Sequence, residues 1–281
     1  MKTKPSMPQA PRSIKKGSSL KDLLADEAIT CLARNIVLVH QKFPSESFIQ
    51  VARKGLRPLS ILERGHHLAS ALREHLPERY DRAIQILISS LTPPLTRTND
   101  LGLGVFFYLP HVCFVGTYGL DTHNNGGLDP FKTSMNAQYE LTRRFSAEFS
   151  IRQFLIRWPE RTLKQLLLWT RDDDPHVRRL CSEGTRPRLP WAMRIPEFVK
   201  DPTPALPILE MLKDDTDLYV RRSVANHLGD IGKDHPALTF EICERWLQEA
   251  SAERRWLIRH ALRYPAKKGD KKAIKLRTLA K

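Results

Sequence analysis

Cysteine is scarce in this chain: Cys31, Cys113, Cys181 and Cys243 are the four in 281 residues, far apart, with no CxxC pair and no histidine at zinc-ligand spacing. This excludes a disulfide framework, gives no ground for a bound metal or other cofactor, and points to a reducing, cytoplasmic compartment. A chain of this length can bury a core without such staples. Acidic residues are also in short supply, 31 Asp and Glu against 46 Lys and Arg, for a net charge of +15. A surplus of that size attracts polyanions, so nucleic acid is the first partner to consider, against the plain alternative of a basic solvated surface. No run alternates with a period of two for long enough to propose a sheet. Residues 101–120 (LGLGVFFYLPHVCFVGTYGL) carry no formal charge and are long enough to span a bilayer. Four glycines, Pro110 and His111 interrupt the run, so a broken pair of buried helices is the expectation and no membrane partner is expected. Residues 1–19 (MKTKPSMPQAPRSIKKGSS) lack the apolar stretch of a secretory leader and read as a disordered basic arm.

What is present is helical periodicity. Ile84, Leu87, Ile88 and Leu91 recur at i, i+3, i+4 and i+7, as do Leu163, Leu166, Leu167 and Thr170, each set forming one apolar stripe. Prolines such as Pro77, Pro93, Pro159, Pro175, Pro236 and Pro265 sit between stripes, where they end one helix or begin the next. Two segments repeat. DDDPHVRR (172–179) and DDTDLYVRR (214–222) each follow an apolar helix, with Val177 and Val220 lying 43 residues apart. That is a HEAT-like period, with fainter echoes at Ile151-Arg152 and Ile258-Arg259. The expected fold is all-α, HEAT-like helical repeats stacked into a curved solenoid over 20–266, strongest over 146–264, followed by a basic tail over 267–281.

In this register acidic residues open the second helix of each pair, and the arginines after Val or Ile recur at one height. Arg152, Arg178, Arg179, Arg221 and Arg222 are thus candidates to follow a phosphate backbone, since the planar guanidinium fork suits phosphate. Each has an equally good structural reading as an ion pair with a neighbouring repeat. The stretch 184–207 (GTRPRLPWAMRIPEFVKDPTPALP) interrupts the repeats with Arg186 and Arg188, two further candidates for DNA contact, and an isolated Trp191, and reads as a functional loop. Arg222, Asn226 and Asp230 share a helix face, and across the 43-residue repeat Arg222 aligns with Arg179 and Asn226 with Glu183, so polar groups gather on one side.

AEFSIRQFL (147–155), SEGTRPRLPWA (182–192), DPTPALPILEMLKDD (201–215) and LYVRRSVANHLGDIGKDHP (218–236) together resemble the AlkC-type, AlkC/AlkD-like, DNA alkylation-repair glycosylases. The resemblance is close over 146–270 and rests on helical pattern alone before that. It implies a glycosylase that removes N-alkylated bases of the 3-methyladenine and 3-methylcytosine type from duplex DNA without fully flipping the base, as a monomer with no obligate protein partner. It carries over Glu148, Glu183, Trp191 and Asp230 as catalytic residues. Some members continue into a C-terminal immunoglobulin-like domain, which no stretch of this sequence matches.

The chemistry is consistent with those residue types. An N3-alkylated base is cationic and leaves readily; positive charge then moves to the sugar, where a carboxylate and an aromatic face stabilise it. Each residue also has a structural reading: Glu148 as an i, i+4 partner of Arg152 or a helix start, Glu183 as a partner of Arg179, Trp191 as a core plug. Asn226 and His227 are candidates for phosphate or lesion contact, His227 equally for a satisfied buried position between Val224 and Leu228. The competing functions are a non-catalytic HEAT-repeat module for nucleic acid or damaged DNA, and a protein-interaction scaffold.

Overall fold

The structure is a computed structural model that describes residues 4–14 and 16–281; Met1 to Thr3 and Lys15, parts of the expected arm, lie outside the described residues. Sixteen α-helices follow in order among them. The first six are α1 (Asp26–Val39), α2 (Ser45–Arg53), α3 (Ile61–His75), α4 (Tyr80–Ser89), α5 (Leu109–Tyr118) and α6 (Phe131–Thr142). Next come α7 (Glu148–Arg157), α8 (Pro159–Trp169), α9 (Pro175–Gly184), α10 (Pro196–Lys200) and α11 (Leu206–Leu212). The last five are α12 (Leu218–Asp234), α13 (Pro236–Leu247), α14 (Ala252–Ala261), α15 (Arg263–Lys267) and α16 (Lys271–Leu279). No strand occurs among the described residues. The chain divides into two compact units, Met1–Gln153 and Phe154–Lys281, with the division inside α7.

In the first unit, α3 packs closely on α5 because Gly65 has no side chain: a Cβ there would come within 2.8 Å of Leu109. The uncharged stretch 101–120 resolves into a 3-10 helix, Gly104–Tyr108, followed by α5, whose residues 109–116 are all buried. Burial on every side accounts for a helix with no polar stripe. Among the described residues no helix is long and apolar enough to cross a membrane. Arg64 is buried with no carboxylate partner among the described residues, its guanidinium donating to the carbonyls of Lys21 (2.6 Å), Leu24 (3.2 Å), Leu59 (3.2 Å) and Arg57 (3.3 Å). The basic arm departs from expectation over 4–14. Ser6 N–H donates to Asn35 Oδ1 (3.1 Å), Asn35 Nδ2 to Ser6 O (2.7 Å) and Leu103 N–H to Pro11 O (3.1 Å), which ties the segment to α1 and to the turn before α5.

The second unit carries the repeats. Asp174 caps α9 by accepting the His176 N–H (2.9 Å), and 43 residues on Asp217 caps α12 by accepting the Tyr219 N–H (2.8 Å). Val177 and Val220 fall at the same place in the first turn of each helix and are fully buried. α9, α12 and α14 form one layer, α12 touching both neighbours, backed by α8, α11 and α13. Ile258 is buried too but lies late in α14, so the fourth echo is out of register. The expected basic tail is also corrected: 271–279 is helix α16, which seats Ala273 and Leu276 in the core and packs on α13.

Candidate active site

Helix α9 ends on a buried carboxylate. The last turn of α9 is buried all round, from Leu180 to Gly184, which takes Glu183 into the interior, and Thr185 closes the helix by donating its hydroxyl to Cys181 O (2.6 Å). The chain then turns so that Arg186 folds back over Glu183 and across to α12. Arg186 Nη1 donates to Glu183 Oε1 (2.6 Å), while Nε (2.8 Å) and Nη2 (2.7 Å) both reach Asp230 Oδ2. Ser223, also on α12, donates its hydroxyl to Glu183 Oε2 (2.6 Å); Lys233, one turn after Asp230, donates to Asp230 Oδ1 (2.7 Å). Arg179 Nη2 lies 3.5 Å from Glu183 Oε1. Glu183, Arg186 and Asp230 keep 6%, 8% and 3% of their surface.

Two carboxylates so deeply enclosed need the pairing and hydrogen bonds that surround them here. For Glu183, burial opposes ionisation, but the Arg179 and Arg186 charges and the Ser223 hydrogen bond outweigh it and hold the carboxyl below its usual range. Arg186, disfavoured by burial, is held cationic by Glu183 and Asp230. The outcome is a preorganised charged cluster in a low-dielectric setting, two carboxylates set among three cations, Arg179, Arg186 and Lys233.

Trp191 is on the loop that follows Arg186. Leu189 and Ile195 anchor that loop in the core, and Ile195 N–H donates to Pro187 O (3.3 Å). Between these anchors Trp191 is 65% exposed with φ +65°, a left-handed backbone that is unusual for a bulky residue. It is not a core plug. Glu148 belongs to the first unit, where it is the first residue of α7, half-buried, and accepts the Ser146 hydroxyl (2.7 Å).

The arginines expected to track phosphate separate into two groups. Arg152 is fully buried, and its guanidinium cannot meet solvent phosphate without opening the core, so it is not a surface contact. Arg186 is likewise taken by the two carboxylates. Arg178 forms a two-pronged pair with Asp215 of the next repeat (2.6 and 3.0 Å) and donates to the carbonyls of Asp172 and Asp173, a structural use. Arg221 repeats the carbonyl contact one period later, Nη1 to Asp215 O (2.6 Å). His227 is buried, with Nδ1 donating to Ser182 O (3.0 Å), which supports its structural reading. Arg222 is exposed, and Arg188 is half-exposed in a two-pronged pair with Asp234 (2.6 and 2.7 Å). Arg179 lies over the Tyr219 ring at 5.0 Å.

Sequence reasoning missed Ser223, Lys233, His260 and Arg263. Asn226 Oδ1, partly exposed, accepts from Arg263 Nη2 (2.9 Å) and from His260 Nε2 (3.2 Å), and His260 stacks on Trp256 with ring centres 4.9 Å apart. The i, i+3 spacing of Asp230 and Lys233 was available as a signal; His260 and Arg263 belong to the repeat whose echo was out of register.

No protein-family model matches the chain. A protein of Bacillus subtilis (strain 168), the uncharacterized protein YhaZ, is 36% identical over 263 residues, covering 92% of this chain and 68% of that protein. A solved structure described as Pseudomonas fluorescens alkylpurine DNA glycosylase AlkC bound to DNA containing an abasic site analog is 37% identical. It matches with a TM-score of 0.81 over 92% of this chain and 68% of that one.

Proposed function

The chain belongs to the AlkC-type family of HEAT-like-repeat alkylation-repair glycosylases, and from that premise we propose that it is a monofunctional DNA glycosylase releasing N-alkylated, cationic bases of the 3-methyladenine and 3-methylcytosine type from duplex DNA. The observation that carries this reading is the buried pair Glu183 and Asp230, gathered around Arg186 in a chain 37% identical to a DNA-bound alkylpurine glycosylase. Such a site suits a reaction in which the base leaves with the electron pair of the glycosidic bond. The departing base loses its positive charge, the sugar gains one, and fixed carboxylates stabilise the change without reorganising. Water then adds to the sugar carbon, giving up a proton, and an abasic site remains with the backbone uncut.

Because the leaving base is already cationic, no strong general acid is required, and full extrusion of the base is unnecessary. Trp191, exposed on an anchored loop, supplies an aromatic face for a cationic base or sugar. Glu148, in the first unit, is carried over from the family resemblance as a further catalytic candidate. The protein acts as a monomer where genomic DNA is held, in the cytoplasm of a bacterial-type cell.

The test is chromatographic detection of free 3-methyladenine and 3-methylcytosine from methylated duplex DNA, comparing the wild type with Glu148→Ala, Asp230→Asn and Trp191→Ala. We expect release by the wild type and a loss of about 100-fold or more in the carboxylate variants with DNA binding retained. Binding without release of either base would reduce the protein to a damaged-DNA-binding module. Strand scission without added lyase or heat would refute the monofunctional step.

A further inference from the structure

The basic segment 267–281 does not trail into solvent. Lys268 N–H donates to Tyr264 O (3.1 Å) and Asp270 N–H to Pro265 O (3.1 Å), so the chain reverses after α15, with Gly269 at φ +84°, and α16 runs back against α13. This reversal completes one wall of a cavity of about 590 Å3 in the second unit, whose other wall is the C-terminal half of α12. Gly232, Lys233, Thr239, Phe240, Tyr264 and Lys268 line it. A pocket of that size suits a ligand on the scale of a nucleotide.

Three features of the lining point to a phosphorylated nucleoside unit. Lys233 and Lys268 supply two cations from elements far apart in sequence against one acid in the wall, Asp270, which caps α16 by accepting the Ala273 N–H (2.8 Å). Tyr264 is 57% exposed, with the Lys268 ammonium 5.9 Å from its ring centre, so an aromatic face and a charge stand side by side. Thr239 Oγ1, buried in the wall, has no hydrogen-bond partner, and the missing side chain of Gly232 leaves it room: a Cβ there would lie 3.3 Å from that oxygen.

We infer that this cavity is a backbone subsite seating one phosphodiester of the bound DNA strand, with Lys233 and Lys268 as its counter-charges and Tyr264 as the face for the attached nucleoside. The inference rests on the glycosylase reading only in taking DNA as the occupant. It adds a link to the site, because Lys233 is also the partner of Asp230 Oδ1. A phosphate in the cavity competes with Asp230 for that lysine, so seating the strand frees one oxygen of the carboxylate.

The experiment is equilibrium binding of a duplex containing an abasic-site analogue, across a salt series, for the wild type, Lys268→Ala, Tyr264→Ala and, as control, Lys275→Ala on α16 outside the lining. Lys268 and Tyr264 are both exposed, so their loss leaves the core intact. The slope of log affinity against log salt should fall by about 0.9 for Lys268→Ala and stay unchanged for Lys275→Ala. Tyr264→Ala should weaken binding about tenfold at every salt concentration. An unchanged slope in Lys268→Ala overturns the subsite. A parallel titration uses inorganic phosphate and deoxyadenosine monophosphate. If the mononucleotide binds through Lys268 while the duplex does not, the cavity serves a free nucleotide and the strand assignment is overturned. Base release measured on the same proteins separates the two readings: a Lys268-dependent slope without release keeps the subsite and removes the glycosylase, and release with a Lys268-independent slope does the reverse.

Discussion

The first unit buries Arg64, Arg144 and Arg152 and the second Arg186, and of these Arg64 and Arg186 are used in opposite ways. In the first, Arg64 spends its guanidinium on backbone carbonyls at the start of the chain and before α3; no carboxylate is drawn inside with it, and the contact fastens one segment to another. In the second, Arg186 gathers Glu183 and Asp230 from two helices of adjacent repeats, and Arg179, Ser223 and Lys233 occupy the oxygens that remain. Satisfying carbonyls with a cation is an economical way to close a core. Enclosing two carboxylates is not, since hydrophobic residues of similar volume would often be as stable or more so. That cost sets the Glu183 and Asp230 cluster apart from a plain core contact and supports the second unit as the place of the candidate site.

The comparison breaks most readily at the two arginines. Arg186→Ala leaves two buried carboxylates without their shared cation and should cost the second unit about 3–5 kcal/mol, seen as a lower denaturation midpoint. Arg64→Ala strands neutral carbonyls only and should cost about 1–3 kcal/mol. Equal losses would mean that the Glu183 and Asp230 cluster is no different from a carbonyl clamp. Acid sharpens the contrast. Because the folded Glu183 carboxyl is held below its usual range, its contribution is complete above an unfolded pKa of about 4.3 and is lost as pH falls through the depressed folded value. Glu63 and Asp81 of the first unit are also depressed, by hydrogen bonds from Ser60 and Arg79 respectively, but solvent screens them. Hydrogen exchange at α9 and α12 should therefore rise as pH falls below about 4.3, and Arg179→Ala should move that rise to higher pH.

A smaller effect is expected at Trp191. A tryptophan at φ +65° with most of its ring in solvent gives little to the core, and glycine tolerates that backbone freely. Trp191→Gly should change stability by no more than about 1 kcal/mol, in either direction, while base release falls. Destabilisation well beyond that, read from the same denaturation curves, would make Trp191 a packing residue after all.

The capping aspartates, their 43-residue spacing and the buried valines were legible because they depend on local rules: an acid before a helix, an apolar residue in its first turn. The approach of Glu183 to Asp230 was partly legible, since the repeat put Arg222, Asn226 and Asp230 on one face beside Glu183. Arg186 was misread as a phosphate contact because its role depends on the loop after α9 folding back, which no periodicity encodes. Arg152 misled through the repeat itself: it aligns with Arg178 and Arg221, which stay partly exposed, yet it is enclosed completely. The C-terminal segment looked like a solvated tail because Ala273, Leu276 and Ala280, which seat it, are few among its lysines. Residues 101–120 were ambiguous for the converse reason, since a helix buried on all sides resembles a membrane span until its neighbours are known.

Two histidines offer the finest test, one in each unit. His111, enclosed in α5, is pushed by burial down to about 3. His260, half-buried on α14, is pushed down to about 4, first by burial and then by the charges of Arg263 and Arg222. Both are therefore neutral in the folded protein at pH 7 and ionise more easily when unfolded, near 6.5. The stability each contributes is complete above that value and declines as pH falls towards the folded pKa. Their responses to DNA should differ. A phosphate approaching Arg222 and Arg263 cancels the charge that suppresses His260, so its pKa rises when duplex binds, whereas burial alone governs His111 and its value stays fixed. NMR titration of the two imidazoles with and without an abasic-site duplex reads both at once. A shift at His260 alone puts the strand against α12 and α14 of the second unit; if neither moves, the duplex lies away from Arg222 and Arg263, and the polar face built by Asn226, His260 and Arg263 serves the fold and not the DNA.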